Sequence, residues 1–259
     1  MTTETYWICD AHAHMGRYGC FHIPHPEPEG MIAAMDRCGV AVAICSHHLS
    51  IGPDAVLGNR CVAEAIEKYP DRFRGWIAVN PHRPRETEEE LKRCGDHPGF
   101  VGVKLHPDLL ESRVDSDGFR PAWEWCEERC APLLSHTWHG SQWSDPEMFV
   151  PLTERYPHVP IVLGHSGGTY EGHSQSIRLA KEHARFYLDI TNSVRYHKHI
   201  SRIVEGVGAE RVLFGSDIPF LSLPSALGSI LWSDIGKEER RLVVGRNAQR
   251  LFKLNVEEN

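Results

Sequence analysis

The stretch Tyr6-Trp7-Ile8-Cys9-Asp10-Ala11-His12-Ala13-His14 opens as an apolar run of strand length and closes on two imidazoles two residues apart. Strand side chains alternate between faces, so His12 and His14 project the same way and can hold one ion together; on a helix they would diverge. No glycine-rich phosphate turn follows, which argues against an open, doubly wound nucleotide-binding sheet. Downstream, apolar runs near 40–46, 73–79, 100–105, 132–136, 160–164, 186–191 and 212–216 repeat the strand signal after the first one at 6–12. Amphipathic stretches separate them: Glu29–Cys38, Asp54–Tyr69, Arg85–Cys94, Gly118–Cys130, Pro146–Tyr156, Glu171–His183 and Lys198–Gly206, with a last one over Lys237–Phe252. Eight β-α units predict a closed (β/α)8 TIM barrel, whose chemistry sits at the C-terminal ends of the strands.

Those ends carry metal-binding and proton-transfer residues: His12 and His14; His47 and His48; Asn80 and His82; Lys104 and His106; His136 and His139; His165; Asp189 and Asn192; and Asp217. Every strand but the seventh ends at a histidine or at Asp217. His12, His14, His136 and Asp217 would offer one divalent ion three nitrogens and a carboxylate oxygen, leaving a position for water or substrate. Zinc is the first choice for such a set, with manganese, iron or cobalt also compatible. On the fifth strand His139 competes with His136, and parity favours His136 only if the strand ends there. Asp10 shares parity with His12 but lies deeper, so it reads as a hydrogen-bonding partner of a ligating imidazole.

Length and composition fit this picture. A chain of 259 residues is the usual size of one such barrel, and no linker, repeat or change of composition divides it, so residues 1–259 read as one domain. The 28 basic and 35 acidic residues give a net charge of −7, which argues against nucleic acid and for a small-molecule substrate. The polar start Met1-Thr2-Thr3-Glu4-Thr5 lacks the basic and apolar parts of a secretory signal, and no apolar run reaches spanning length; a cytoplasmic protein with no membrane partner is expected. Eight cysteines without a C-x-x-C pair read as buried thiols. A homo-oligomer is compatible with all of this.

The ordered set Asp10-x-His-x-His14, Gly102-Val-Lys-Leu-His-Pro107, Ser135-His136, Leu163-Gly-His-Ser-Gly-Gly168, Phe214-Gly-Ser-Asp-Ile-Pro219 and Asn247-Ala-Gln-Arg-Leu-Phe252 resembles the amidohydrolase superfamily. It is most similar to the amidohydrolase-2 branch, which includes metal-dependent hydrolases and the aminocarboxymuconate semialdehyde decarboxylase group. The resemblance implies that His12, His14, His136 and Asp217 are ligands and that His165 is the sixth-strand histidine, an acid/base in mononuclear members and a ligand in binuclear ones. It implies that Asp217 can also accept a proton. Some members carboxylate a fourth-strand lysine to bridge two metals, and Lys104 stands at about that place; the Lys-Leu-His-Pro form resembles the mononuclear branch instead.

Around the mouth, the first-strand loop 15–22 and the fifth-strand loop Trp138–Trp143 supply aromatic and basic groups that would set specificity. Arg17, Arg195 or Lys104 could clamp a carboxylate, and His106, Trp138 and His139 would line the substrate. The leading expectation is a hydrolase that attacks an ester, lactone or amide with metal-activated water, with Asp217 or His165 taking the proton. The alternative is a non-oxidative decarboxylase of an unsaturated or aromatic acid, with His165 assisting protonation of carbon. A metal-free barrel acting as a binding or scaffold protein is the third.

Overall fold

The computed structural model describes residues 6–20, 22–191 and 195–255. Met1–Thr5, Phe21 in the first-strand loop and Asn192 after the seventh strand lie outside the described residues. Strands and helices alternate along the chain as β1 (Ile8–Met15), α1 (Pro28–Cys38), β2 (Val40–His47), α2 (Ala55–Lys68), β3 (Phe73–Ala78), α3 (Pro84–Gly95), β4 (Phe100–Leu105), α4 (Arg120–Arg129), β5 (Leu133–His136), α5 (Val150–Arg155), β6 (Ile161–Gly164), α6 (Tyr170–Glu182), β7 (Phe186–Asp189), α7 (His199–Val207) and β8 (Val212–Leu213). After β8 come α8 (Leu223–Leu231), α9 (Lys237–Arg241), a π turn and α10 (Asn247–Leu251).

Each strand pairs in parallel with the next, β1 through β8. The ring is drawn together on its far side by backbone bonds from Ala11 N to Phe214 O at 2.8 Å, Asp217 N to His12 O at 2.9 Å and His14 N to Ile218 O at 2.8 Å. The result is a single (β/α)8 barrel. No helix among the described residues is long and apolar enough to cross a membrane.

Local chemistry explains the helices that frame it. The Asp54 carboxylate caps α2 by accepting from Leu57 N at 2.9 Å, and Thr169 caps α6 by accepting from Gly172 N at 3.0 Å. On α7 the buried Ile200, Ile203, Val204 and Val207 follow helical spacing and face the sheet. Asn247 ties the last helix to the barrel, its amide donating to Ala209 O at 2.6 Å and Val212 O at 2.8 Å.

Two apolar clusters result. The larger fills the space between strands and helices. The smaller plugs the barrel itself, with Cys9, Ala11, Val42, Ile44, Trp76, Leu134, Val162 and Leu213 from the strands and Phe252 beneath them. Trp76 and Phe252 meet edge to face at 5.2 Å between ring centroids.

The sequence reading needs three corrections. First, β1 runs to Met15 rather than stopping at residue 12, and it carries one residue more than β2 between the pairs Asp10–Ala43 and Ala13–Cys45. That bulge resets the alternation: Cys9 and Ala11 face the inner plug, while Ala13 and Met15 face the helices. Second, β8 ends at Leu213, so Asp217 lies in the following turn with φ of 60°, not on the strand. Third, α8 appears where no helix was expected; Pro224 sits in its first turn and Leu223, Ala226, Leu227 and Ile230 are its buried stripe.

Candidate metal centre

At the C-terminal end of the barrel, the interior positions change from apolar to ionisable. His12 and His14, beyond the β1 bulge, turn inward, and their Nε2 atoms lie 3.5 and 3.3 Å from the same oxygen, Asp217 Oδ1. That oxygen is buried and has no hydrogen-bond partner among the described residues. A buried, donor-free carboxylate oxygen facing two imidazole nitrogens is a poor arrangement for a protein alone and a good one for a cation.

The surroundings prepare these groups as ligands. His12 Nδ1 donates to Asp189 Oδ2 at 2.6 Å, which leaves its Nε2 as a lone pair toward Asp217. His14 Nδ1 is paired with Ser46 Oγ at 2.8 Å. Burial alone would raise the Asp217 carboxyl, but the imidazoles of His12, His165 and His14 hold it well below the usual carboxylate range. Burial pushes the His14, His106 and His136 imidazoles well below the usual histidine value, and lowers His165 too. Neutral imidazoles and an ionised carboxylate are the forms that bind metal.

Backbone geometry places the remaining members. His165 and Ser166 follow β6 in the left-handed region, φ of 62° and 49°, where non-glycine residues are uncommon. Asp189 Oδ2 accepts from His165 N at 3.2 Å, and His165 Nδ1 donates to Thr191 O at 2.9 Å. Its ring then lies 5.0 Å from that of His12 and 4.7 Å from that of His136. Among the described residues, His12, His165 and Asp217 are the one group of three whose metal-binding atoms all lie within 4.8 Å of one another. Gly215 permits the approach, because a Cβ there would collide with the Thr191 hydroxyl and His12.

His136 closes β5 and stacks between His106, 4.2 Å away and nearly parallel, and Trp138, at 6.1 Å. Its Nδ1 is buried without a hydrogen-bond partner among the described residues. Lys104 is buried beneath the ligands, its Nζ 2.7 Å from His12 Nε2 on the lone pair that an ion would use. Burial lowers its pKa from 10.5 to about 8.

Of the residues expected to meet substrate, Lys104, His106 and Trp138 line a cavity of about 230 Å³ with His14, His136, His165 and Asp217. Arg17 does not; it lines a separate cavity with His47 and Glu64. His139 is also apart, exposed and bonded to Gln175 Oε1 at 3.0 Å. Arg195 donates to Ser225 O at 2.8 Å, away from the cavity lining. Asp10 is not the carboxylate partner of a ligand imidazole. It accepts from the backbone of His12 at 3.2 Å and of Ser216 at 3.1 Å, and from the Ser216 hydroxyl, so it fastens the β1–β8 seam. The partner is Asp189, which interior parity with Tyr187 would have indicated. Tyr18, His48 and Phe220 also line the cavity, with Ile51, Leu109 and Leu221.

Comparison with known proteins decides the family: residues 9–254 match the one described as Amidohydrolase. The chain belongs to the amidohydrolase family. Among curated proteins it is 28% identical over 249 residues to a gamma-resorcylate decarboxylase of a Polaromonas species, across 76% of this chain and 75% of that one. Among solved structures, a 2,6-dihydroxybenzoate decarboxylase complexed with 2,6-dihydroxybenzoate superposes with a TM-score of 0.76 at 20% identity, over 97% of this chain and 99% of that one. A dihydroxybenzoic acid decarboxylase of Polaromonas, with bound manganese and the inhibitor 2-nitroresorcinol, gives 0.73 at 21%, over 97% and 98%. At such identities the structural likeness shows the shared barrel. The sequence relatives overturn the expectation of a hydrolase for this amidohydrolase, since they are decarboxylases. Both reactions use the same ligand types and differ in pocket and substrate pose, which ligand spacing does not encode.

Proposed function

We propose that this amidohydrolase-family enzyme is a divalent-metal-dependent, non-oxidative decarboxylase of an aromatic carboxylic acid. The observation that carries the reading is the donor-free Asp217 Oδ1 between two imidazoles, at the floor of a cavity walled by Tyr18, Trp138 and Phe220. A volume of about 230 Å³ suits a molecule built on one ring. The decarboxylase relatives support the same chemistry.

His12, His14, His136 and Asp217 would hold the ion. Their donor set suits zinc, and manganese has the added support of the bound ion in the Polaromonas structure. When bound, such an ion supplies a fixed positive charge that holds and polarises a substrate oxygen. Trp138, Phe220 and Tyr18 keep the ring in a water-poor slot. Lys104, released from His12 when that lone pair is used elsewhere, presents a cation to the substrate carboxylate. His165 moves the proton: Nδ1–H is committed to Thr191 O, so Nε2, a lone pair at rest, is the nitrogen that takes up one proton from solvent and passes it on. Delivered to the ring carbon bearing the carboxylate, that proton allows the C–C bond to break; its electron pair stays with the ring and carbon dioxide leaves.

The test is a panel of hydroxylated benzoates and unsaturated acids, incubated with manganese- and zinc-loaded protein in deuterium oxide. Carbon dioxide release with one deuterium at the vacated carbon is expected. Turnover of no acid in the panel with either metal would refute the reading.

A further inference from the structure

Three imidazoles in the cavity are set in different senses by the backbone. His48 Nδ1 donates to Gly16 O at 2.7 Å, so its Nε2 carries a lone pair. His165, bonded to Thr191 O, has the same sense. His106 has the opposite one: its Nδ1 accepts from Leu109 N at 3.3 Å, so its Nε2 carries the hydrogen. Neither His48 Nε2 nor His106 Nε2 has a partner among the described residues, and both rings line the cavity. The cavity therefore has a donor wall, Lys104 and His106 on and just after β4, and an acceptor, His48.

His48 is held firmly. The residue is 5% exposed, and its ring stacks on His14 at 5.1 Å and 23° and is flanked by Tyr18 at 5.3 Å and Phe220 at 6.4 Å. A screened acceptor between aromatic rings is costly to leave unmet when a ligand excludes water.

We propose that His48 is a specificity-determining residue: its Nε2 accepts a hydrogen bond from a ring hydroxyl of the aromatic acid, whose carboxylate faces Lys104 and His106. The assignment rests on the decarboxylase reading for the acid and adds the group that reads its substituent. An acid with the hydroxyl satisfies His48; its methyl ether keeps the oxygen but has no hydrogen to give and leaves the nitrogen unpaired.

The test is calorimetric binding at pH 8 of benzoate, its three monohydroxy isomers and their methyl ethers to manganese-loaded protein. In the wild type, one hydroxy isomer should bind about tenfold tighter than its methyl ether, the range of one buried hydrogen bond. His48→Phe keeps a flat ring against His14 and should abolish that ratio while leaving benzoate affinity within about twofold. His48→Gln restores an acceptor oxygen and should recover part of the ratio. A ratio that survives in His48→Phe overturns the assignment, as does an equal loss for benzoate and hydroxybenzoate, or a wild type without discrimination. Carbon dioxide release is followed separately: discrimination without turnover would remove the decarboxylase reading and leave His48 in its role.

Discussion

Leu134 and His136 both point into the barrel, two residues apart on β5, yet the first belongs to a packed apolar plug and the second to a ring of ionisable groups. The same step separates Tyr187 from Asp189 on β7, and on β1 the bulge makes the change from Ala11 to His12 and His14. Strand alternation serves both layers, so one backbone pattern delivers stability at one end and chemistry at the other. The upper layer is electrostatically costly by itself: burial drives its imidazoles toward neutrality and lowers the lysine. The lower layer supplies the burial that offsets this cost.

If the division is real, changes in the two layers should fail in different ways. Asp217→Ala is the largest expected loss. It removes the one carboxylate that two imidazoles face, so bound metal should fall from about one equivalent to near zero and decarboxylation by about 10⁴-fold or more, while the melting temperature stays within a few degrees. Elemental analysis, a carbon dioxide assay and calorimetry check it; retained metal would break the comparison. His165→Ala should follow, keeping most of the metal but losing about 10²- to 10⁴-fold in rate. Loss of metal along with rate would make His165 a ligand, as its place within 4.8 Å of His12 and Asp217 would allow.

Trp76→Ala probes the lower layer. Removing a fully buried indole from the plug should cost about 3 to 5 kcal/mol of unfolding free energy, measured by denaturant titration, with metal per folded molecule unchanged. A drop in metal affinity at equal folded fraction would show that the layers are coupled, through the Trp76 Nε1 to Ala11 O bond at 3.0 Å just below His12.

The barrel was legible before any of these distances, because eight apolar runs with period-two or continuous burial alternate with amphipathic helices. So was the cluster of ionisable residues at the strand ends. What escaped has physical causes. The β1 bulge is one extra residue with no compositional mark, and it moved Asp10 from a partner of an imidazole to a clamp on the seam. Asp217 gains its position from a left-handed turn after a two-residue strand, which a hydrophobic pattern cannot locate. Arg17 carries the right charge but its loop turns it into another cavity. The expectation of a hydrolase failed because ligand types and spacing do not separate hydrolysis from decarboxylation; it was the sequence relatives that overturned it.

Lys104 sharpens the comparison because it is the one buried lysine or arginine among the described residues. In metal-free protein its folded pKa of about 8 lies below the ordinary 10.5, so between those values the unfolded chain holds a proton that the folded one has lost. The Lys104 contribution to stability should therefore rise with pH across that window, by at most about 3 kcal/mol, and level off below 8, where both states hold the proton. Lys104→Met has no such proton, so the wild type should gain stability relative to the variant as pH rises through the window. Parallel stability curves for wild type and variant from pH 8 to 10.5 would contradict the assignment of a strained ammonium.

The smallest effect tests whether the two ligand histidines are prepared equally. His12 leans on a carboxylate, Asp189, which also accepts from His165 N and, through its other oxygen, from Thr191 N at 2.8 Å and Thr191 Oγ1 at 2.6 Å. His14 leans on the hydroxyl of Ser46 alone. A negative partner makes an imidazole a stronger donor to a cation and holds its tautomer; a hydroxyl does only the second. Asp189→Asn keeps the size of the group but loses the charge and turns an amide toward one of its donors. It should weaken metal affinity by about 10- to 100-fold in a competition titration with a chelator. Ser46→Ala leaves the Asp189 carboxylate in place and should weaken it by only a few-fold, the loss of one neutral hydrogen bond. Equal losses would mean that orientation alone matters, and that the charge of Asp189 serves the His165 turn rather than the ion.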